Sequence, residues 1–187
     1  MEKKTHYFYA LKLPHEVKLQ LEKICNQLQF SFDRWVHQED YHITLAFLGY
    51  ANKEQLHASL HFVREMLAES HSFPLTIDHL GVFGKKDSPR IFWAGTEPEE
   101  RLSQLRKLVY DACHKAEFQL ETRPFHPHIT LARKWTGDIP FSDSILTQKN
   151  PFVQDTINFQ ANEVVLYKTN LVKVPKYEVV ESFRLNQ

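Results

Sequence analysis

The chain has 187 residues, 42% of them hydrophobic, with 23 Lys and Arg balanced by 23 Asp and Glu to a formal charge of zero. Such a composition can bury a core and excludes a disordered tail, and a neutral chain has no general pull toward duplex nucleic acid or anionic membrane, so any nucleic-acid contact is expected to be local. No run of 18 apolar residues occurs and the stretch Met1 to Tyr7 lacks a signal-peptide core, so a cytoplasmic protein without a membrane partner is expected.

Residues 7–13, Tyr-Phe-Tyr-Ala-Leu-Lys-Leu, are aromatic and apolar enough for a strand, which Pro14 ends. Val17, Leu21, Ile24, Cys25 and Leu28 then share one helical face, predicting a helix over about 16–29. The next alternation is His42-Ile43-Thr44-Leu45. After Gly49, Asn52 and Gln55 have capping-box spacing, and Leu56, Leu60, Val63 and Leu67 form a second stripe. Strands are predicted over 73–83 and 90–95 around the turn Gly84 to Pro89. Thr96-Glu97-Pro98-Glu99 reads as a capping box, followed by a stripe of Leu102, Leu105, Val109, Ala112 and Ala116. Residues 134–151 read as a surface loop or short helix, and 156–168 and 176–185 as two closing strands joined across Pro175. Cys25 and Cys113 fall on helical stripes with no Cys-x-x-Cys pair, which points to buried, reduced thiols.

The string Pro127-His128-Ile129-Thr130-Leu131 repeats the earlier His-Ile-Thr-Leu. Phe8 precedes His42 by 34 positions and Phe92 precedes His128 by 36, so strand, helix and histidine strand recur in near register. This is an internal duplication of two copies. It predicts an α+β chain in which residues 1–187 form a single bilobal domain with pseudo-two-fold symmetry, two antiparallel sheets flanked by helices around a central cleft.

Strand side chains alternate faces, so His42 and Thr44 emerge opposite their apolar anchors Ile43 and Leu45, about 6.5 to 7 Å apart along the strand. His128 and Thr130 do likewise. Metal-free phosphodiester hydrolysis needs a base for water, an acid for the departing oxygen and donors for the equatorial oxygens. Two His-x-Thr units supply that list, and an imidazole pKa of about 6.5 allows one neutral and one protonated ring near neutrality. Arg133, just past the second unit, could bond a phosphate oxygen, although strict alternation gives it the parity of the anchors.

Tyr41-His42-Ile43-Thr44-Leu45-Ala46-Phe47-Leu48-Gly49 and Arg123-Pro124-Phe125-His126-Pro127-His128-Ile129-Thr130-Leu131-Ala132-Arg133 resemble the two signatures of the two-histidine phosphoesterase superfamily. Within it the chain is similar to the bacterial and archaeal RNA 2′,3′-cyclic phosphodiesterases, historically called 2′-5′ RNA ligases. The resemblance runs from Phe8 to the final strand. It implies catalysis by His42 and His128, with His42 as the acid and His128 as the base, phosphate bonding by Thr44 and Thr130, and no metal or other cofactor. The substrate it implies is an RNA 3′ end or a cyclic nucleotide, opened to a 2′-phosphate, by a chain expected to act as a monomer. A ligase-like joining of RNA ends and a non-catalytic nucleotide-binding module are the alternatives. His6 departs from the family's usual basic residue at the start of the first strand, and His126 adds a His-Pro-His triplet that offers two zinc-type donors without an obvious third. Tyr7, Phe8, Tyr9, Phe92 and Trp93 read as core and strand residues, one of which could still line the cleft, and Lys85, Lys86 and Arg90 as a solvated face that could touch RNA phosphates.

Overall fold

The computed structural model describes residues 5–187; the first four residues of the stretch searched for a signal core lie outside them. In chain order the elements are β1 (His6–Lys12), α1 (His15–Leu28), β2 (Phe32–Trp35), a 3-10 turn (Gln38–Asp40), β3 (His42–Tyr50), α2 (Lys53–Leu67), β4 (Phe73–Gly84), β5 (Pro89–Thr96), α3 (Glu100–Lys115), β6 (His128–Trp135), α4 (Asp143–Lys149), a second 3-10 turn (Pro151–Val153), β7 (Ile157–Ala161), β8 (Glu163–Thr169) and β9 (Tyr177–Arg184). No helix among the described residues is long and apolar enough to cross a membrane.

Local chemistry sets most of these boundaries. α1 buries Val17, Leu21, Cys25 and Leu28 and stops at Gln29, whose backbone turns left-handed. α2 begins where the Asn52 carboxamide oxygen accepts from the Gln55 N–H at 2.8 Å, as the capping spacing predicts. α3 begins later than the sequence suggests. Thr96 stays in β5, held in register opposite Ile77, and the cap is Glu99, whose carboxylate accepts from the Arg101 N–H at 3.0 Å.

The strands run β7-β4-β5-β6-β3-β1-β8-β9, all paired antiparallel, with β2 attached to β6 beside this path. The two sheets expected from the duplication are thus the halves of one sheet. They meet at a single residue pair, Ile43 of β3 opposite Ile129 of β6. β1 pairs with β3 on one side of this seam and β5 with β6 on the other.

The predicted strand over 156–168 is also corrected: it is two strands serving opposite halves. β7 pairs with β4 and β8 with β1, and only Asn162 lies between them. Across a flat sheet, β7 and β8 would lie about 29 Å apart at ordinary strand spacing. Two consecutive peptides span at most about 7.6 Å. The sheet is therefore forced to curl until its far strands meet at one end. Hydrogen bonds fasten that end: the Leu185 N–H donates to the Asn162 carbonyl and the Ser72 N–H to the Asn186 carbonyl.

Helices tie the halves together. α3, which follows β5, packs against β3 and α2, and α1, which follows β1, reaches β7. One core cluster runs through both halves, from Tyr9 and Ile43 to Phe92 and Ile129. Because the seam rests on two fully buried isoleucines, Ile129→Ala is expected to destabilise the protein by about 2 to 5 kcal/mol, the range for emptying a buried aliphatic site. Urea unfolding measures this directly, and a loss under about 1 kcal/mol would show that the seam does not carry the junction.

Candidate active site

In β3 and β6 the alternation is interrupted at the same place. Opposite β1, Tyr9 faces Ala46 and Ala10 faces Thr44, so Leu45 is an extra residue; opposite β5, Phe92 faces Ala132 and Trp93 faces Thr130, so Leu131 is extra. Both strands therefore bulge directly after the His-x-Thr unit. The bulge puts two consecutive residues in the core, Leu45 and Ala46 in one strand and Leu131 and Ala132 in the other. It also returns Phe47 and Arg133 to the face that carries the histidines. Arg133 accordingly lines the pocket despite the parity that simple alternation assigns it. The backbone at Lys134 turns left-handed at φ 61°, bending the strand immediately after it.

His42 is enclosed. Phe8, Tyr167 and Tyr177 surround its ring at centroid distances of 4.8, 5.9 and 5.2 Å. With Ala10 and Val165 these aromatics form a second apolar cluster, on the opposite face of β1 from the main core. His42 Nδ1 lies 2.7 Å from the Asp40 carbonyl oxygen, which can only accept, so Nδ1 carries the proton and Nε2 is left for chemistry. Thr44 Oγ1 lies 3.0 Å from that Nε2. Asp40 is itself anchored, its buried carboxylate accepting from the N–H groups of Lys176 and Tyr177 at 3.1 and 3.0 Å. Buried Lys18 of α1 steadies the same turn by donating to the Glu39 carbonyl at 2.9 Å and to its carboxylate at 3.2 Å.

His128 repeats the pattern in a more open setting. Its Nδ1 is 2.7 Å from the His126 carbonyl oxygen, again two residues upstream. Phe83 lies edge-on at 5.0 Å and Trp93 at 6.2 Å. Trp93 can lie there because Gly81 leaves open the space that a Cβ would fill, against the indole. His126 itself meets Phe83 and Trp93. Among the described residues no group of three His, Cys, Asp or Glu side chains is gathered that could hold a metal ion.

His42, Thr44, His128, Thr130 and Arg133 line one pocket of about 200 Å³, with Phe8, Asp40 and Lys176 among its other walls. The sequence-predicted residues are thus brought together. Burial pushes the His42 pKa down to about 4, opposed by the hydrogen bond to Asp40 and assisted by the charges of His128, Lys18 and Lys176. Burial also lowers that of His128, opposed by the hydrogen bond to the His126 carbonyl and assisted by the charges of His126 and Arg133. Both rings are thus held toward the neutral form, and the pocket, edged by Arg133 and Lys176, suits a small anion. Sequence reasoning missed Asp40, Lys18, Tyr167, Tyr177 and Lys176. Phe8 and Trp93 are buried strand residues, as the sequence suggests, and they also flank the two imidazoles. His6 lies edge-on to Phe47, with ring centroids 5.9 Å apart.

The model of the 2′-5′ RNA ligase superfamily matches residues 14–172. A protein of Geobacillus stearothermophilus named RNA 2′,3′-cyclic phosphodiesterase is 42% identical over 98% of this chain, which spans 58% of that relative's length. One of the same name from Bacillus subtilis is 33% identical over 98% of both chains. Among solved structures, Escherichia coli LigT in its apo form superposes with a TM-score of 0.77 at 25% identity, covering 98% of each chain. LigT complexed with 3′-AMP gives 0.79 at 24% identity, covering 99% of this chain and all of the other.

The enclosure of His42 has a pH signature. The unfolded chain takes up a proton at about pH 6.5, whereas the folded one resists until about pH 4. His42 therefore contributes stability that is fully present above pH 6.5 and lost as the pH falls toward 4, by about 3 kcal/mol in all. In urea unfolding, the stability gap between the native chain and His42→Gln is expected to shrink by about that amount from pH 7.5 to pH 4. A gap constant over this range would mean that the ring is solvated.

Proposed function

The chain belongs to the 2′-5′ RNA ligase superfamily, and from that premise we propose that it opens a 2′,3′-cyclic phosphate at the end of an RNA to a 2′-phosphate, using His42 and His128 as a metal-independent acid and base. One observation carries the reading: two imidazoles, each with Nδ1 held by the carbonyl two residues upstream, share one small pocket with two threonines and Arg133. The names of the Geobacillus and Bacillus relatives and the 3′-AMP complex of LigT support the same substrate class.

In the proposed reaction His128 removes a proton from water, which attacks phosphorus in line with the 3′-oxygen. The P–O3′ bond breaks and His42 protonates the departing oxygen, so the phosphate stays on O2′. Thr44, Thr130 and Arg133 donate to the equatorial oxygens, where negative charge grows. The surroundings suit these roles. His128 lies nearer solvent and can meet water. Burial holds His42 toward the neutral form, but an anionic phosphate in the pocket interacts most strongly with the least screened group, so substrate binding itself raises the pKa of His42. Proton transfer at each ring is worth roughly 10² to 10⁴ in rate. The reading also assigns the protein to the cytoplasm as a monomer, in keeping with two buried free thiols at Cys25 and Cys113.

Incubation with a 2′,3′-cyclic nucleotide and with RNA, in EDTA and without ATP, is expected to give 2′-phosphate at the full rate. Joined RNA ends would favour ligation, binding without turnover a nucleotide-binding module, and recovery only on adding zinc the His126–His128 pair. Leaving-group chemistry separates the two histidines. A nitrophenyl phosphodiester needs no proton on departure but still benefits from a base, so His42→Ala is expected to regain most of its lost rate on that ester and His128→Ala is not. Rescue of His128→Ala instead would exchange the roles, and failure of both variants, each folded, would leave the imidazoles as phosphate binders only.

A further inference from the structure

The duplication leaves the two halves of the pocket unequal in charge. The β6 bulge turns Arg133, three residues after Thr130, to the cleft; the β3 bulge turns Phe47, three residues after Thr44, to the same face. The first half thus holds a phenyl ring where the second holds a guanidinium. A phosphate undergoing in-line displacement gathers negative charge on two non-bridging oxygens, which face different sides of the site.

The hairpin between β8 and β9 brings a cation to the first half. Lys176 lines the pocket shared by both histidines and immediately precedes Tyr177, whose ring meets that of His42 edge-on at 5.2 Å. Its backbone is fixed from two sides: its N–H donates to Asp40 Oδ2 at 3.1 Å, and its carbonyl accepts from the Asn170 N–H at 2.7 Å. Its ammonium is less committed than those of its neighbours. Glu178 engages both Lys168 and Lys173, at 2.8 and 2.6 Å, whereas Lys176 forms no ion pair with any described residue and rests over the Tyr177 ring, 4.9 Å from the centroid. Asp40, the one carboxylate among the described residues that line the pocket, already accepts an N–H on each oxygen and competes weakly for that ammonium. The charge of Lys176 reaches His42 and helps to lower its pKa, as that of Arg133 does for His128.

We propose that Lys176 is the second cation of the phosphate site, its Nζ bonding the non-bridging oxygen on the His42 side while Arg133 bonds the one on the His128 side. Each half then offers an imidazole, a threonine hydroxyl and a cation, the first half taking its cation from the β8–β9 hairpin. The inference deepens the reaction proposed at His42 and His128 and rests on it. A lysine suits the position, because its flexible stem lets the ammonium leave the Tyr177 ring for the phosphate as charge collects there.

The test uses the two diastereomers of uridine 2′,3′-cyclic phosphorothioate, in which sulfur replaces one or the other non-bridging oxygen, beside the all-oxygen ester. Sulfur is a weak hydrogen-bond acceptor, so replacing an oxygen that a cation bonds lowers the rate. Lys176→Gln, at a half-exposed side chain, is expected to lower kcat/KM on the oxygen ester about 10- to 100-fold, the range for a lost hydrogen bond to a charged group, and Lys176→Arg to retain most of the rate. Lys176→Gln is also expected to bring the sulfur penalty of one diastereomer toward one and leave the other unchanged, and Arg133→Gln to do the converse. A rate within about threefold of the native one, or sulfur penalties that do not respond to Lys176 in one diastereomer alone, would overturn the proposal. Calorimetric titration with inorganic phosphate separates the site from the reaction. Binding weakened about tenfold in Lys176→Gln, by a protein that opens none of the esters, would uphold the second cation and refute the catalytic reading. Unchanged or undetectable phosphate binding in such a protein would overturn both.

Discussion

Between β3 and β6 one pair is in register, Ile43 opposite Ile129, and both side chains are fully buried. Sinking these two isoleucines into the core obliges the residues on either side of each to emerge on the other face. His42, Thr44, His128 and Thr130 are those residues, so the packing that joins the halves of the sheet also faces the two imidazoles toward one pocket. The matching bulges extend this logic by one step. Having used two consecutive residues as anchors, each strand returns its next residue to the cleft: an aromatic ring from β3, a guanidinium from β6. The two copies of the motif thus share a backbone device and differ in the chemistry that it presents.

The two histidines are alike in hydrogen bonding and unlike in surroundings. Each donates through Nδ1 to the carbonyl two residues before it, which fixes the ring and the tautomer without a carboxylate partner. His42 lies in an aromatic cage and His128 beside solvent. A pair of basic groups in one pocket resists double protonation, and in the proposed reaction the substrate's own charge would chiefly stabilise the proton that is transferred. Asp40 and Lys18 act at one remove, holding the turn whose carbonyl orients His42.

The duplicated His-Ile-Thr-Leu string made the central four residues legible in the sequence, because strand alternation is a local rule. The helical stripes and the cap at Asn52 were legible for the same reason. What could not be read is long-range. The Tyr167 and Tyr177 walls of the His42 cage come from β8 and β9, and nothing near His42 in sequence points to them. The single curled sheet depends on Asn162 being the only residue between strands of opposite halves, a fact about pairing partners and not about residue type. Arg133 shows the limit of the alternation rule itself. Counting by twos assigns it to the core, and one extra residue in the strand reverses the answer.

The pairing of β1 with β8 also bears on how the chain reaches its native form. Phe8 is aligned with Tyr167, so the first strand finds its second neighbour only after most of the chain is available, and β4 likewise waits for β7. Contacts so distant along the chain close large loops and form slowly. Until they do, β1 and β4 each present an open edge, which is where stray association begins. During synthesis from the amino end, the histidine strands are made well before the segment that encloses the first of them, and the pocket that they share is among the last parts of the molecule to mature.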